Sequence, residues 1–260
     1  MANLPRTAKS GINWTTAELD AYNITIIPQT KAEFFGTNDF PTNPTGPSIS
    51  GFMTNESRET ATDKRTKQLL YYLDLAMDPK VGLEESAVGN FAAELLRGLD
   101  YDDKDRIVFI WRAIPFLICG ETSIAQTDVC VMDDYEILLL LQDDKRLTSI
   151  KDPEPQVIAE AIAAFAMNNM SRERMLNLQP RDAITFPVIT MAGTSPAFYK
   201  VTVTAALCKA VETGTYPKIE TRVFRYIPTL PRRNSDGMRP LPNRLEILRC
   251  LEAFKKFLGN

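Results

Sequence analysis

Three side chains near the middle of the chain could do hydrolytic chemistry together: Asp128, Asp143 and Lys145. Asp128 lies in residues 123–132 (SIAQTDVCVM), and Asp143 and Lys145 follow directly on the apolar run at 135–142 (YEILLLLQ). If both runs are strands of a hairpin turning at Asp133-Asp134, its far end brings Asp128 beside Asp143-Asp144-Lys145. Residues two apart in a strand share a face, so Asp143 and Lys145 project together, and Gln142 and Asp144 project to the other side. Two carboxylates and an ammonium then converge at one end of a sheet. An apolar strand gains no core burial by ending in a charged cluster. A hard divalent cation, however, requires such a cluster. Mg2+ or Mn2+ takes oxygen ligands from a few carboxylates, from substrate phosphate and from water. A nearby Lys can orient or deprotonate an attacking water and offset charge on a phosphorane-like transition state.

Composition narrows the alternatives. The chain has 260 residues and no histidine. That removes a Ser-His-Asp triad, a Cys-His pair, His-ligated zinc or haem, and any histidine general base. Chemistry must come from carboxylates, Lys, Cys, Tyr or backbone. Thirty Lys and Arg against 33 Asp and Glu give a net charge of -3, which excludes a histone-like binder but not a local basic groove. Hydrophobic residues at 44% and charged residues at 24% describe a globular chain with material for a sizeable core. Cys119, Cys130, Cys208 and Cys250 form no C-x-x-C pair and read as reduced core thiols, which suggests an intracellular, cytoplasmic or nuclear, protein. No apolar segment precedes a cleavage-like site near Met1, and no apolar run approaches the ~20 residues of a membrane span.

The elements that must position the acids follow from periodicity. Residues 1–56 read as an irregular polar arm with a short strand at 23–28, and 57–260 as one α/β domain with its core at about 84–203. Helices are expected within 57–79 and at 84–99, where Val88, Phe91, Ala92, Leu95 and Leu99 form one stripe. Strands are expected at 106–119, 123–132 and 135–142, the last apolar on both faces as a buried central strand should be. An Ala-rich helix follows at 157–168, with Asp152 as N-cap and Pro153 at its first position. Two strands at 184–192 and 197–203, a helix at 204–212, a Pro- and Arg-rich loop at 217–244 and a closing helix at 244–258 complete the chain. The expected fold is α/β: a mixed central sheet flanked by helices, with the N-terminal arm and an Arg/Pro-rich C-terminal extension.

The order helix with Glu, strand, strand with Asp, strand with (Asp/Glu)-x-Lys, helix resembles the PD-(D/E)xK, or restriction-endonuclease-like, nuclease superfamily. The residues that carry the resemblance are Glu94 in FAAELLRGL, Asp128 in QTDVCV, and Asp143 with Lys145 in LLLLQDDK. It covers about residues 84–203. The resemblance implies that Asp128 and Asp143 bind Mg2+ or Mn2+, that Glu94 supports the metal, and that Lys145 acts on the attacking water. Some members add a Gln from the following helix, for which Gln156 is the candidate. Two departures stand out: Thr127 replaces the proline before the first acid, and Asp143 is a shorter acid than the usual Glu. Taken whole, the chain also looks like a set of uncharacterised fungal proteins, which implies no activity.

Arg222, Arg225, Arg232, Arg233, Arg239, Arg244 and Arg249 crowd the C-terminal region beside Tyr216, Phe224 and Tyr226. Arginine forks grip phosphate and aromatic rings stack on bases, so Arg232, Arg233 and Arg239 are candidate contacts to a DNA or RNA backbone. The same arginines could be solvated or paired with acids elsewhere. Residues 191–196 (MAGTSP) read as a β-turn, although Gly193 and the hydroxyls could approach phosphate. The leading expectation is a metal-dependent nuclease. The competing ones are a non-catalytic interaction module on the same fold, and an unrelated α/β protein whose Asp-Asp-Lys cluster is ordinary surface.

Overall fold

A computed structural model of the chain describes residues 6–37, 40, 44, 49–78, 87–143 and 152–258. The protein is α/β, built on a seven-stranded mixed sheet. The strands are β1 (Ile24–Pro28), β2 (Arg106–Ile118), β3 (Glu121–Asp133), β4 (Glu136–Asp143), β5 (Ala183–Ala192), β6 (Ser195–Thr204) and β7 (Thr221–Tyr226), and their order across the sheet is β1-β7-β6-β5-β4-β3-β2. β2, β3 and β4 form an antiparallel meander. β4 then pairs parallel with β5, which requires the crossover helix α6 (Glu154–Arg174) between them. β5, β6 and β7 are antiparallel in turn, and β1 closes the far edge parallel to β7.

The three meander strands and the β5–β6 pair fall where the periodicity places them. Asp134 makes the expected turn in a left-handed conformation (φ 45°). α6 runs six residues further than the apolar pattern indicates. Its first residue is Glu154, whose N–H donates to Asp152 Oδ1, so Asp152 caps the start while Pro153 takes the N-cap position. From Glu154 to Phe165 every residue of α6 is buried, Gln156 and Glu160 included. The helix lies on β2 to β6, and residues 11–13 and the short α1 (Thr16–Ala21) pack beside it, residues 11–13 against β3 as well. Alanine permits this closeness. Gly11 does too, because a Cβ there would stand 3.0 Å from the Cβ of Ala125.

Two expectations are corrected. Residues 217–244 are not loop throughout: β7 lies within them and links β6 to β1. Arg225 and Phe224 on it face opposite sides, and its run Arg-Val-Phe-Arg has no alternation of apolar and polar residues. The N-terminal segment is more regular than its composition suggests. It supplies α1, the expected strand as β1, α2 (Lys31–Phe35) and α3 (Ser50–Thr54), and it buries Trp14, Phe34, Phe35 and Phe52. On the face opposite α6 pack α4 (Lys64–Ala76), α5 (Ala87–Gly98) and α8 (Leu241–Phe254), while α7 (Ala205–Thr213) adjoins α6. The apolar core is accordingly in two clusters, one on each side of the sheet. Among the described residues no helix is long and apolar enough to cross a membrane.

Arg244, one of the crowded C-terminal arginines, is part of this core and is fully buried. Its Nη1 donates to the carbonyls of Phe52 (2.9 Å) and Asn55 (2.6 Å), its Nε to Met238 (2.9 Å) and its Nη2 to Arg239 (3.2 Å). Burial pulls its pKa down to about 10. The guanidinium thus ties the end of α3 to the start of α8. Arg244→Met keeps the volume and strands those carbonyls, and should lower unfolding free energy in urea by about 3 kcal/mol or more. Arg244→Lys, with no planar fork, should fall between the two.

Candidate functional site

Asp128 sits at an interruption. The β2–β3 ladder runs from Arg106–Asp133 to Ile118–Glu121 and skips only the position where Trp111 and Asp128 would face each other. Trp111 is in the left-handed region there (φ 60°). Such a break re-aims side chains and ends regular pairing, as a bulge does. The faces of both strands change across it. Val108, Val129 and Val131 belong to the cluster under α5, while Ile114, Phe116 and Ala125 belong to the cluster under α6. Asp128 ends on the α5 side. A Cβ on Gly89, in the first turn of α5, would come within 3.9 Å of the Asp128 Cβ.

Asp143 arrives from the next strand. Its backbone N–H donates to Asp128 Oδ2 at 2.8 Å. Both acids are buried, at 7% and 9% exposure. The Thr127 hydroxyl, placed within 3.1 Å of the Leu141 carbonyl and 3.0 Å of the Val129 carbonyl, braces the same two strand segments. The structure therefore brings together the two acids that the hairpin argument paired. Lys145 and Asp144 lie outside the described residues. Gln142 alternates with Asp143 onto the α6 side, as expected, and its Oε1 is buried with no hydrogen-bond partner among the described residues.

The remaining candidates lie elsewhere in the arrangement. Glu94 is paired with Arg97 at 2.7 Å, and Arg97 also donates to the Val108 carbonyl, so this ion pair ties α5 to β2. Gln156 is buried in the first turns of α6, and its amide donates to Glu160 Oε1 at 3.1 Å. Arg232, Arg233 and Arg239 are exposed and form no ion pair among the described residues. Their segment is fastened to the β5–β6 turn by Ser195 Oγ donating to the Asn234 carbonyl and by the Met238 N–H donating to Thr194 Oγ. That turn is at the same end of the sheet as Asp143, which is in register with Met191 of β5. Arg222 is paired with Glu220, Arg225 with Glu154 and Arg249 with Glu246. The turn at 191–196 is a β-turn with Gly193 at φ 58°.

The sequence argument missed Glu160. It is fully buried, and its carboxyl is held well above the ordinary carboxylate range, first by burial and then by the negative charge of Asp128; hydrogen bonds with Gln156 and Thr127 oppose the shift. A signal existed: Glu160 is the one charge inside VIAEAIAAFA. Nearer the β7 side of α6, Glu154 accepts from Tyr199 (2.9 Å) and Arg225 (2.7 Å), a satisfied cluster that anchors the helix start to β6 and β7.

Among the described residues no three His, Cys, Asp or Glu side chains form a cluster that could hold a metal by themselves. The donors present are a pair of carboxylates. That set suits Mg2+ or Mn2+, which are bound through one or two carboxylates with water and substrate phosphate completing the shell, and it does not suit a closed zinc site. The chain matches no protein-family model and none of the curated proteins.

The raised carboxyl of Glu160 makes stability fall as pH climbs above the ordinary Glu value, because the unfolded chain releases a proton that the folded chain retains. Glu160→Gln removes the term. The variant should exceed wild type by about 1 kcal/mol or more at pH 7, with the gain shrinking towards pH 5 in parallel thermal melts.

Proposed function

We propose that the protein is a Mg2+- or Mn2+-dependent phosphodiesterase acting on nucleic acid, with a restriction-endonuclease-like core. The observation that carries the reading is the junction of Asp128 and Asp143, closed by the hydrogen bond between the Asp143 N–H and Asp128 Oδ2. The element order α5, β2, β3, β4, α6, β5 supports it, since this is the order on which the resemblance was drawn.

Asp128 and Asp143 would hold the cation, whose contribution when bound is Lewis-acid polarisation of the scissile phosphoryl group. The chain's own residues do the rest. Burial of the two carboxylates keeps their oxygens out of bulk water and strengthens their field at the phosphate. The main-chain bond from Asp143 fixes one oxygen of Asp128 and leaves the carboxylate little rotational freedom. In this reading Lys145, two residues beyond Asp143, takes the part of orienting the attacking water and giving or accepting its proton. Arg232, Arg233 and Arg239 would grip backbone phosphates at the same end of the sheet.

A second reading, a nuclease-like fold that serves as an interaction module, is favoured by the engagement of Glu94 with Arg97 and of Gln156 with Glu160. Metal binding separates the two. With Mn2+ at about a hundred times its dissociation constant, wild type should gain about 2.7 kcal/mol of stability, and Asp128→Asn should gain little. An equal response in both, or none in either, removes the metal site. Lys145→Ala should keep the Mn2+ shift and lose cleavage of DNA and RNA substrates. Cleavage that survives in this variant would place the activity elsewhere.

A further inference from the structure

The β2–β3 hairpin continues beyond the last paired residues of β4. Its ladder extends through Arg112–Thr127 to Ile118–Glu121, whereas the β3–β4 ladder ends at Val129–Leu141. Alternate residues of this extension have opposite surroundings. Ile114, Phe116, Ile118 and Ala125 are buried on the α6 side. Ala113, Pro115, Leu117, Thr122, Ile124 and Gln126 are all exposed on the other. They pair across the hairpin as Ala113–Gln126, Pro115–Ile124 and Leu117–Thr122, so they form one surface, and none of them is charged.

This surface is continuous with the acid pair. Positions 122, 124 and 126 alternate on β3 with buried Ala125 and Thr127, and the next residue of the row is Asp128, turned like them away from α6. The row measures about 20 Å from Thr122 to Asp128. At the junction stands Trp111, 44% exposed, at the position across from Asp128. An aromatic residue in the left-handed region is strained, and strain of this kind gathers where a side chain must be presented. Ile124 at 55% and Leu117 at 41% exposure extend the apolar surface outward.

The chemistry of the surface selects its occupant. A duplex meets a protein with its phosphates, and a surface that tracks them needs cations. Among the described residues the exposed row holds none, and Arg112, beside Trp111, lies over the Phe109 ring. Unpaired bases offer apolar π-faces, which stack on aromatic and aliphatic side chains. Exposed arginines lie on the opposite flank of the acids: in the strand order the pair on β3 and β4 stands between this hairpin and the β5–β6 turn that holds the Arg232–Arg239 segment.

We infer that Trp111 and the exposed face of Pro115, Leu117 and Ile124 form a base-contacting platform leading to the Asp128–Asp143 pair, so that the nucleic acid handled at that pair is single-stranded. The inference rests on the phosphodiesterase reading for the role of the acids, but its test does not use them. The chain has two tryptophans, and Trp14 is fully buried, so a ligand that reaches the indole on the surface reports on Trp111. Wild-type full-length chain is titrated, without divalent ions, with a mixed-sequence DNA or RNA strand of about a dozen nucleotides and with its blunt duplex, following tryptophan quenching and anisotropy of an end label. The single strand should quench saturably and bind about ten-fold or more tightly than the duplex. Trp111→Ala and the surface variant Leu117→Ser/Ile124→Ser should each weaken it about ten-fold or more, with Trp111→Phe restoring part of the loss. Equal binding of duplex and strand overturns the platform, as does a wild-type affinity in both surface variants. Sedimentation of wild type as a dimer that Leu117→Ser/Ile124→Ser converts to monomer also overturns it, since the face would then belong to a second copy. A strand that binds this way while the Mn2+ shift is absent leaves the platform standing and removes the phosphodiesterase; a normal Mn2+ shift with no strand preference does the reverse.

Discussion

A single main-chain hydrogen bond, from the Asp143 N–H to Asp128 Oδ2, organises the middle of this molecule. A carboxylate held inside a sheet must find donors, because burying a charge without them is prohibitive. A strand end must likewise satisfy its last N–H groups. Here each need meets the other. The β2–β3 ladder opens at Trp111 and Asp128, which frees the Asp128 side chain to take over the place of a ladder acceptor for β4. Two acids that would repel each other as side chains are thereby joined through one backbone donor.

The surroundings respond to this concentration of negative charge. α6 passes beneath it with two polar residues among alanines and isoleucines, Gln156 and Glu160, bonded to each other. Burial, and after it the negative charge of Asp128, hold the Glu160 carboxyl well above the ordinary carboxylate range. Of the cations of the region, Arg112 lies over the Phe109 ring beside Trp111, and several others are spent on structure. Arg97 holds Glu94 and the edge of β2, Arg225 holds Glu154, and Arg244 donates to carbonyls and lies over the Phe52 ring. Arg232, Arg233 and Arg239, on the segment sewn to the β5–β6 turn, are exposed and form no ion pair among the described residues. Among the described residues, the end of the sheet is thus divided across its strands into a basic flank, an acidic centre and an uncharged row of exposed side chains.

The two flanks have different physical origins. The uncharged one exists because the hairpin of β2 and β3 is longer than its neighbour β4, and among the described residues only its α6 face has a helix to cover it. The basic one exists because the chain between β7 and α8 is fastened by backbone contacts. Asn243 accepts from the Arg232 N–H and donates to the Arg233 and Gly237 carbonyls, which leaves the arginine side chains to solvent. Residues that read alike in the sequence, seven arginines in one region, are sorted by these contacts into core, ion pair and surface.

Taken alone, the sequence determined the parts of the fold that have a strong period. Alternation or continuous apolarity in 106–142 gave the meander and its turn, and the offset of Asp128 and Asp143 from that turn was enough to pair them. Local chemistry also placed the start of α6, through Asp152 and Pro153. Tertiary structure decided what periodicity does not carry. β7 became a strand because β6 and β1 offered it partners on both edges, although its run Arg-Val-Phe-Arg has no alternation of apolar and polar residues. Residues 11–21 became part of the fold because α6 is buried at every position from Glu154 to Phe165, and they supply part of that cover. The Glu94–Arg97 pair is a local contact one helical turn apart, but the bond of Arg97 to the Val108 carbonyl and the burial of Arg244 depend on partners about ten or more residues away that no local pattern announces. The break at Trp111 is of the same kind. It depends on two strands opening at one facing position while keeping the same register on either side, so only the assembled sheet could set which way Asp128 points.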